Sequence, residues 1–234
     1  MQLFIGEIKG NKALLSEEES RHFTKVLRGK TGQEIHVTDG SGNMVRGIVT
    51  LISPKSVEIE ISELKENFEK RPYHLHVAIS PTKNMDRTEF FLEKAVEIGI
   101  DEITFIKCFH SERKNINLER CQKIIQSAAK QSLKAYIPKL NDMLRLSEFL
   151  SLNPTGQKFI AHCDTAFSRE NFNEIIQPKS NYLILIGPEG DFSKEEIQTA
   201  EKQGFTGISL GNQRMRTETA ALVAVLDVNR VNLM

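Results

Sequence analysis

Tyr182-Leu183-Ile184-Leu185-Ile186-Gly187-Pro188-Glu189-Gly190-Asp191-Phe192 is the stretch on which the fold turns. Five apolar residues run straight into a glycine-rich turn, the pattern of a buried strand whose carboxyl end opens into a loop. A second pair follows, Gly207-Ile208-Ser209-Leu210 leading into Gly211-Asn212-Gln213-Arg214-Met215-Arg216-Thr217-Glu218-Thr219-Ala220-Ala221. Loops of this kind are where α/β proteins hold ligands. Both combine glycines, which let the main chain approach a ligand closely, with charges that a plain turn does not need. As neighbours in one sheet, the two loops would form a single pocket.

Strand and helix patterns alternate on either side of these loops. Strands are expected at 75–80, 102–108, 158–163, 182–186 and 207–210, and helices at 87–98, 118–135, 170–176 and 217–232. Another helix starts after Ser193, with Glu196 as its capping-box partner, and stops at Gly204. The alternation predicts an α/β domain with a mainly parallel sheet covered on both faces. Before it, residues 3–5, 34–38, 44–52 and 56–64 read as short strands. The turn Asp39-Gly40-Ser41-Gly42-Asn43 joins two of them. One helix interrupts them, with a Ser16/Glu19 capping box and an apolar stripe of Phe23, Val26 and Leu27. Such a segment predicts a small barrel. The charged stretch 65–72, ending in Pro72, marks the boundary, giving domains 1–70 and 73–234.

The charges sort the chemistry. The first loop offers Glu189 beside a stiff Pro188 and lacks the Gly-rich run with Lys and Ser/Thr of a phosphate cradle. A ligand with positive charge, amines and hydroxyls fits it better. In the second loop Leu210 and Met215 offer apolar surface, and Arg214 and Arg216 alternate with Met215. Glu218 falls in the first turn of the last helix, where an acid also suits the helix dipole, and Thr217 reads as its N-cap. Lys83 and Arg87 stand at the entry of an earlier helix whose Glu89, Glu93 and Glu97 form a like-charge column. That column costs about a few tenths of a kcal/mol per pair and calls for basic partners, with 110–114 as the candidate source. His74 and His76 share a strand face without a third ligand, so no metal is expected.

GPEGDF and LGNQRMRTETA, together with Arg21-His22-Phe23, Val26-Leu27-Arg28 and the Lys94-Ala95-Val96-Glu97-Ile98-Gly99 run, resemble the RsmE family of ribosomal RNA methyltransferases, within the knotted SPOUT class. The resemblance covers nearly the whole chain. It departs at Asn212-Gln213, where relatives commonly carry a proline before the arginine, and at Met215, which replaces a branched aliphatic residue. It implies a PUA-like RNA-binding barrel followed by a methyltransferase domain tied in a deep trefoil knot. It also implies S-adenosylmethionine as cofactor, bound around Ile186, Gly187, Pro188, Glu189, Gly190, Leu210, Gly211, Met215 and Thr219. The product would be a methyl group on N3 of one uridine in 16S rRNA of the small subunit. Arg214, Arg216 and Glu218 become the catalytic candidates, with Glu218 either a base or the holder of an arginine. Arg21, His22, Lys25, Arg28, Lys83 and Arg87 become the RNA-binding candidates. Two alternatives stay open at this point: a SPOUT enzyme acting on another RNA, and a non-catalytic RNA-binding assembly factor.

Composition sets the outer bounds. The net charge is zero, so RNA binding would have to rest on local patches such as 21–33, which holds four Lys/Arg and no acid. No apolar run is long enough to span a membrane, and the first residues lack the pattern of a signal peptide. Cys108, Cys121 and Cys163 are odd in number and widely spaced, which predicts reduced thiols in a cytoplasmic protein. The last helix is apolar on more than one face, as expected if part of it is shared in a homodimer.

Overall fold

The computed structural model describes residues 2–53, 55–152 and 155–233. Two compact units emerge: residues 1–70 with 126–137, and residues 71–125 with 138–234.

In the first unit, β1 (Leu3–Lys9), β2 (Lys12–Leu15), β3 (Glu34–Thr38), β4 (Met44–Ile52) and β5 (Val57–Lys65) close into a barrel in the order β1-β2-β5-β4-β3. Alternation drives the closure. Phe4, Val37, Val45, Val49, Val57 and Ile59 point inward around Phe23, and their alternate neighbours face out. The expected turn after β3 is present. Its Asp39 carboxylate accepts from Ser41 N–H (2.8 Å), Asn43 N–H (3.1 Å) and Asn43 Nδ2 (2.6 Å), which pins the β3–β4 register.

The helix after Ser16 departs from expectation. Ser16 caps α1 (Glu17–Arg21) through Glu19 N–H, but the Glu19 side chain pairs with Lys130 instead of completing the box. A π-helical segment, His22–Val26, then leaves Val26 and Leu27 exposed. The short β2 carried too little alternation to be read.

The second unit is a seven-stranded sheet of β6 (His74–Ile79), β7 (Glu102–Lys107), β8 (Lys139–Arg145), β9 (Gln157–Ala161), β10 (Glu170–Asn171), β11 (Asn181–Ile186) and β12 (Thr206–Ser209). Its order is β10-β12-β9-β11-β6-β7-β8, and every pairing is parallel. The helices are α2 (Met85–Ile98), α3 (Leu118–Gln131), α4 (Leu146–Ser151), α5 (Phe172–Ile175), α6 (Lys194–Lys202) and α7 (Thr217–Leu233). Leu183 and Leu185 join Phe149, Ile197 and Phe205 in the core layer beneath α4 and α6. The alternate residues Ile184 and Ile186 face the side where α7 packs on β11 and α2 packs on α7.

Several elements differ from the sequence reading. β8 and α4 went unread, because β8 is a half-exposed edge strand with Asn141, Asp142 and Arg145 among its apolar residues. Residues 170–176 split into a strand pair and one helical turn, and α3 stops at Gln131 rather than running to 135. The glutamate column of α2 is neutralised by Arg120 on Glu89 (2.6 Å) and by Lys94 on Glu93 and Glu97 (2.8 and 2.9 Å), not from 110–114.

His76 belongs to a polar layer in the apolar sheet. Its Nε2 lies 2.8 Å from Thr104 Oγ1, and Asn141 Nδ2 donates both to Thr104 and to Glu102. Burial drives the His76 pKa down to about 4, against the opposing pull of Glu102. The folded protein therefore binds fewer protons than the unfolded chain between that value and 6.5, and stability falls as pH falls through this window. Urea unfolding from about pH 7 to about pH 4 should show this loss, and His76→Asn should reduce it by roughly 1–3 kcal/mol. An unchanged pH profile in the variant would remove His76 from the account.

Candidate functional site

All seven strands point the same way, so their carboxyl ends share one edge of the sheet. The two loops read in the sequence, 187–192 after β11 and 210–216 after β12, both lie there. Contrary to expectation, β11 and β12 are not neighbours: β9 runs between them. A cleft of about 260 Å³ forms over the end of β9, walled by Ile186, Gly187, Pro188, Glu189 and Asp191 on one side. Arg214, Met215, Arg216, Thr217 and Ala220 form the other side, and Ala161, His162 and Cys163 the floor. The floor is the part that sequence reasoning missed. Any strand end lying between the two loops would supply it, but the strand order was not legible.

The first loop is held by its own carboxylates. Asp191 sits at φ +65°, and its Oδ2 accepts from Cys163 N–H at 2.6 Å, tying the loop to the end of β9. Its Oδ1 accepts from Phe192 N–H at 2.8 Å. Glu189 Oε1 accepts from Lys83 N–H at 3.0 Å, so the acid displayed at the strand end finds a backbone partner after β6. Arg113 clamps the same segment by donating to Thr82 O (3.1 Å) and Lys83 O (2.6 Å). Downstream, Ser193 and Glu196 form the expected capping box of α6.

The second loop depends on backbone geometry. Gly211 lies at φ +138°, a conformation open to glycine and strained for any L side chain. Met215 is half-buried in the cleft wall, while Arg214 and Arg216 are exposed and make no ion pair among the described residues. Ala220 N–H donates to Arg216 O at 2.8 Å, so Arg216 occupies the cap position and the buried Thr217 is the first residue of α7. This corrects the reading of Thr217 as N-cap.

Glu218 is only 7% exposed, and its Oε2 has no hydrogen-bond partner among the described residues. Its cation is Arg87, with Nε 3.9 Å from Oε1, rather than an arginine of its own loop. His162 is 4% exposed with both ring nitrogens unpartnered among the described residues, and burial lowers its pKa against the opposing charge of Asp191.

The remaining candidates are distributed as follows. Gly190 and Gly211 line a larger neighbouring cleft of about 960 Å³ that shares Cys163, Asp191 and Arg214 with the first. Leu210, Glu218 and Thr219 line neither. Lys83 pairs with Glu112 at 2.7 Å. In the barrel unit Arg21 pairs with Glu17 at 2.5 Å, and His22, Lys25 and Arg28 are exposed without an ion pair among the described residues.

The cleft thus joins apolar walls (Ile186, Met215, Ala161, Ala220) to main chain at Gly187 and to carboxylates at its mouth. It suits a flat heterocycle bearing polar edges and a cationic tail, and it offers no cradle for phosphate. Among the described residues, no cluster of His, Cys, Asp and Glu is arranged to hold a metal.

Residues 69–228 match the family model described as an RNA methyltransferase domain, and residues 15–62 match that of an RNA methyltransferase PUA domain. Among curated relatives, the ribosomal RNA small subunit methyltransferase E of Mesomycoplasma hyopneumoniae is 34% identical, over 94% of this chain and 95% of its own. Among solved structures, a probable rRNA-methyltransferase of Porphyromonas gingivalis is 35% identical with a TM-score of 0.90, covering 100% of this chain and 99% of that one. A ribosomal RNA small subunit methyltransferase E of Neisseria gonorrhoeae, bound to S-adenosyl methionine, is 27% identical with a TM-score of 0.85, covering 99% and 98%.

If Arg87 chiefly neutralises the buried Glu218, Arg87→Ala should destabilise the protein by about 1–2 kcal/mol, since half-exposed pairs are partly screened. Adding Glu218→Gln should recover most of that loss in urea unfolding. Additive effects of the two substitutions would disprove the pairing.

Proposed function

The chain belongs to the RNA methyltransferase family, and from that premise we propose that it transfers the methyl group of S-adenosylmethionine to 16S rRNA of the small ribosomal subunit. The observation that carries the reading is the cleft over β9, where both glycine-bearing loops and an apolar wall meet at the carboxyl edge of a parallel sheet. Ile186, Gly187, Pro188, Glu189 and Met215 would hold the cofactor there, with Gly190 and Gly211 flanking it. S-adenosylmethionine supplies an electrophilic methyl group on a sulfonium, which departs as a neutral thioether.

We assign the acceptor as N3 of one uridine. N3 carries a proton at neutral pH and faces its pairing partner, so the base has to leave its stack to react, and the N3 proton passes to water at the open rim as the bond from methyl to sulfur breaks and the bond to N3 forms. Arg216, exposed on the rim and without an ion pair among the described residues, stabilises the negative charge that develops on the uracil oxygens, while Arg214 beside it faces the RNA backbone. Glu218 acts as a positioning residue. Buried and paired with Arg87, it anchors the first turn of α7 directly after Arg216. His22, Lys25 and Arg28 serve RNA binding from the barrel unit, where an exposed basic surface meets phosphate.

The same reading includes a cytoplasmic homodimer and a trefoil knot. Leu226 on α7, 36% exposed in the single chain, supports a shared helix face. β11, inserted between β6 and β9 although it follows both in the chain, supports the knot. No helix among the described residues is long and apolar enough to cross a membrane.

The test uses labelled S-adenosylmethionine and small subunits from a strain lacking this gene. Mass spectrometry of the digested RNA should find one new 3-methyluridine. Arg216→Ala should lower kcat about 10²–10³-fold while leaving cofactor affinity nearly unchanged. No transfer, or a methyl group on another atom, would refute the assignment.

A further inference from the structure

Phe109 is the most exposed aromatic side chain among the described residues of the second unit, at 78%. Its loop is nevertheless tightly held. Phe109 N–H donates to Glu196 Oε1 at 2.8 Å, the same carboxylate that closes the capping box of α6. Just before it, Cys108 N–H donates to Ser111 Oγ at 2.8 Å, and Ser111 N–H returns to Cys108 O at 3.2 Å. Ser111 Oγ is tied in turn to Ser80 Oγ at 2.8 Å. On the other side, His110 Nδ1 lies 3.1 Å from Asp191 O, and a Cβ on Gly190 would come within 2.9 Å of His110 Cβ. The loop after β7 is therefore locked to the loop after β11, with no room for a side chain at position 190.

The main chain that carries this ring is fixed by these bonds, yet the ring, 78% exposed, gains little from burial in this chain. Fixing it in advance benefits whatever lands on it, because the ordering cost is already met before binding. Phe109 and His110 meet edge to face with centroids 5.0 Å apart, and both line the cleft of about 960 Å³. That cleft is continuous with the cofactor cleft through Cys163, Asp191 and Arg214. The acids of its wall are partly occupied: Asp191 accepts from Cys163 and Phe192, and Asp164 accepts from Ala166 N–H at 2.8 Å. In the same wall Arg169 donates to His162 O at 3.1 Å and Lys194 stands beside the exposed Glu195, while Lys194 and Arg214 form no salt bridge among the described residues. An aromatic platform beside exposed cations is the arrangement that takes a single-stranded nucleotide, base on the ring and phosphate on the cations.

We propose that Phe109 is a stacking platform for an unpaired RNA base at or beside the methylated nucleotide, with Lys194 and Arg214 receiving the adjoining phosphates. The proposal rests on the function argued above and adds a specificity-determining residue to it. Loss of one base–aromatic stack costs about 5- to 100-fold in binding.

The experiment compares the full-length wild type, Phe109→Ala and Phe109→Tyr on unmethylated small subunits, with cofactor affinity measured separately by calorimetry. Phe109→Ala should raise KM for the subunit at least about fivefold with kcat and cofactor affinity nearly unchanged, and Phe109→Tyr should restore KM. If the wild type transfers methyl groups and Phe109→Ala keeps its KM, the platform is refuted while the function stands. A KM rise that Phe109→Tyr fails to reverse also overturns it. Sedimentation of each variant separates the other occupant: if Phe109→Ala weakens self-association in step with KM, the ring packs on a second copy of the chain and the RNA assignment falls.

Discussion

The constraint on which this molecule depends is the parallel run of β11, β9 and β12, which puts three carboxyl ends side by side on one edge of the sheet. Parallel strands need long connections, and each connection leaves the sheet at that edge. Placing β9 between the two glycine-bearing loops spaces them one strand apart on each side. A cleft results with residues of one loop on each wall and the end of β9 as its floor.

The loops on this edge are held by carboxylates that accept from backbone N–H groups. Asp191 reaches Cys163, Glu189 reaches Lys83, and Glu196 reaches both Ser193 and Phe109. Hydrogen bonds to a charged acceptor contribute about 1.5–3 kcal/mol each. They are directional, so they fix loop positions as well as adding stability. Side-chain cations are thereby left uncommitted at the rim, where Arg214 and Arg216 stand without acidic partners among the described residues. Glu218 is the exception, an acid buried at the start of α7 and balanced by Arg87.

Local patterns were legible in the sequence. The strand–loop pairs, the Asp39–Asn43 turn and the Ser193/Glu196 box each depend on neighbours within a few residues, and the structure forms all three. The barrel and the parallel sheet followed from alternation. What escaped the sequence reading depends on distant partners. The order of strands is set by crossovers, so the place of β9 was not readable, and with it the floor at His162 and Cys163. The Glu218–Arg87 pair joins residues far apart in the chain. The same holds for Glu19, whose apparent box partner Ser16 competes with Lys130 in a separate segment of the barrel unit. β8 was hidden for a different reason, since an edge strand half in water blurs its alternation.

The central claim is that loops 187–192 and 210–216 close on one S-adenosylmethionine molecule over the end of β9. Hydrogen–deuterium exchange on the full-length protein, with and without the cofactor, tests it most directly. Amides in 161–164, 187–191 and 211–217 should slow together on cofactor addition, with little change elsewhere in the sheet. Protection confined to one loop, or appearing only outside these three segments, would contradict it.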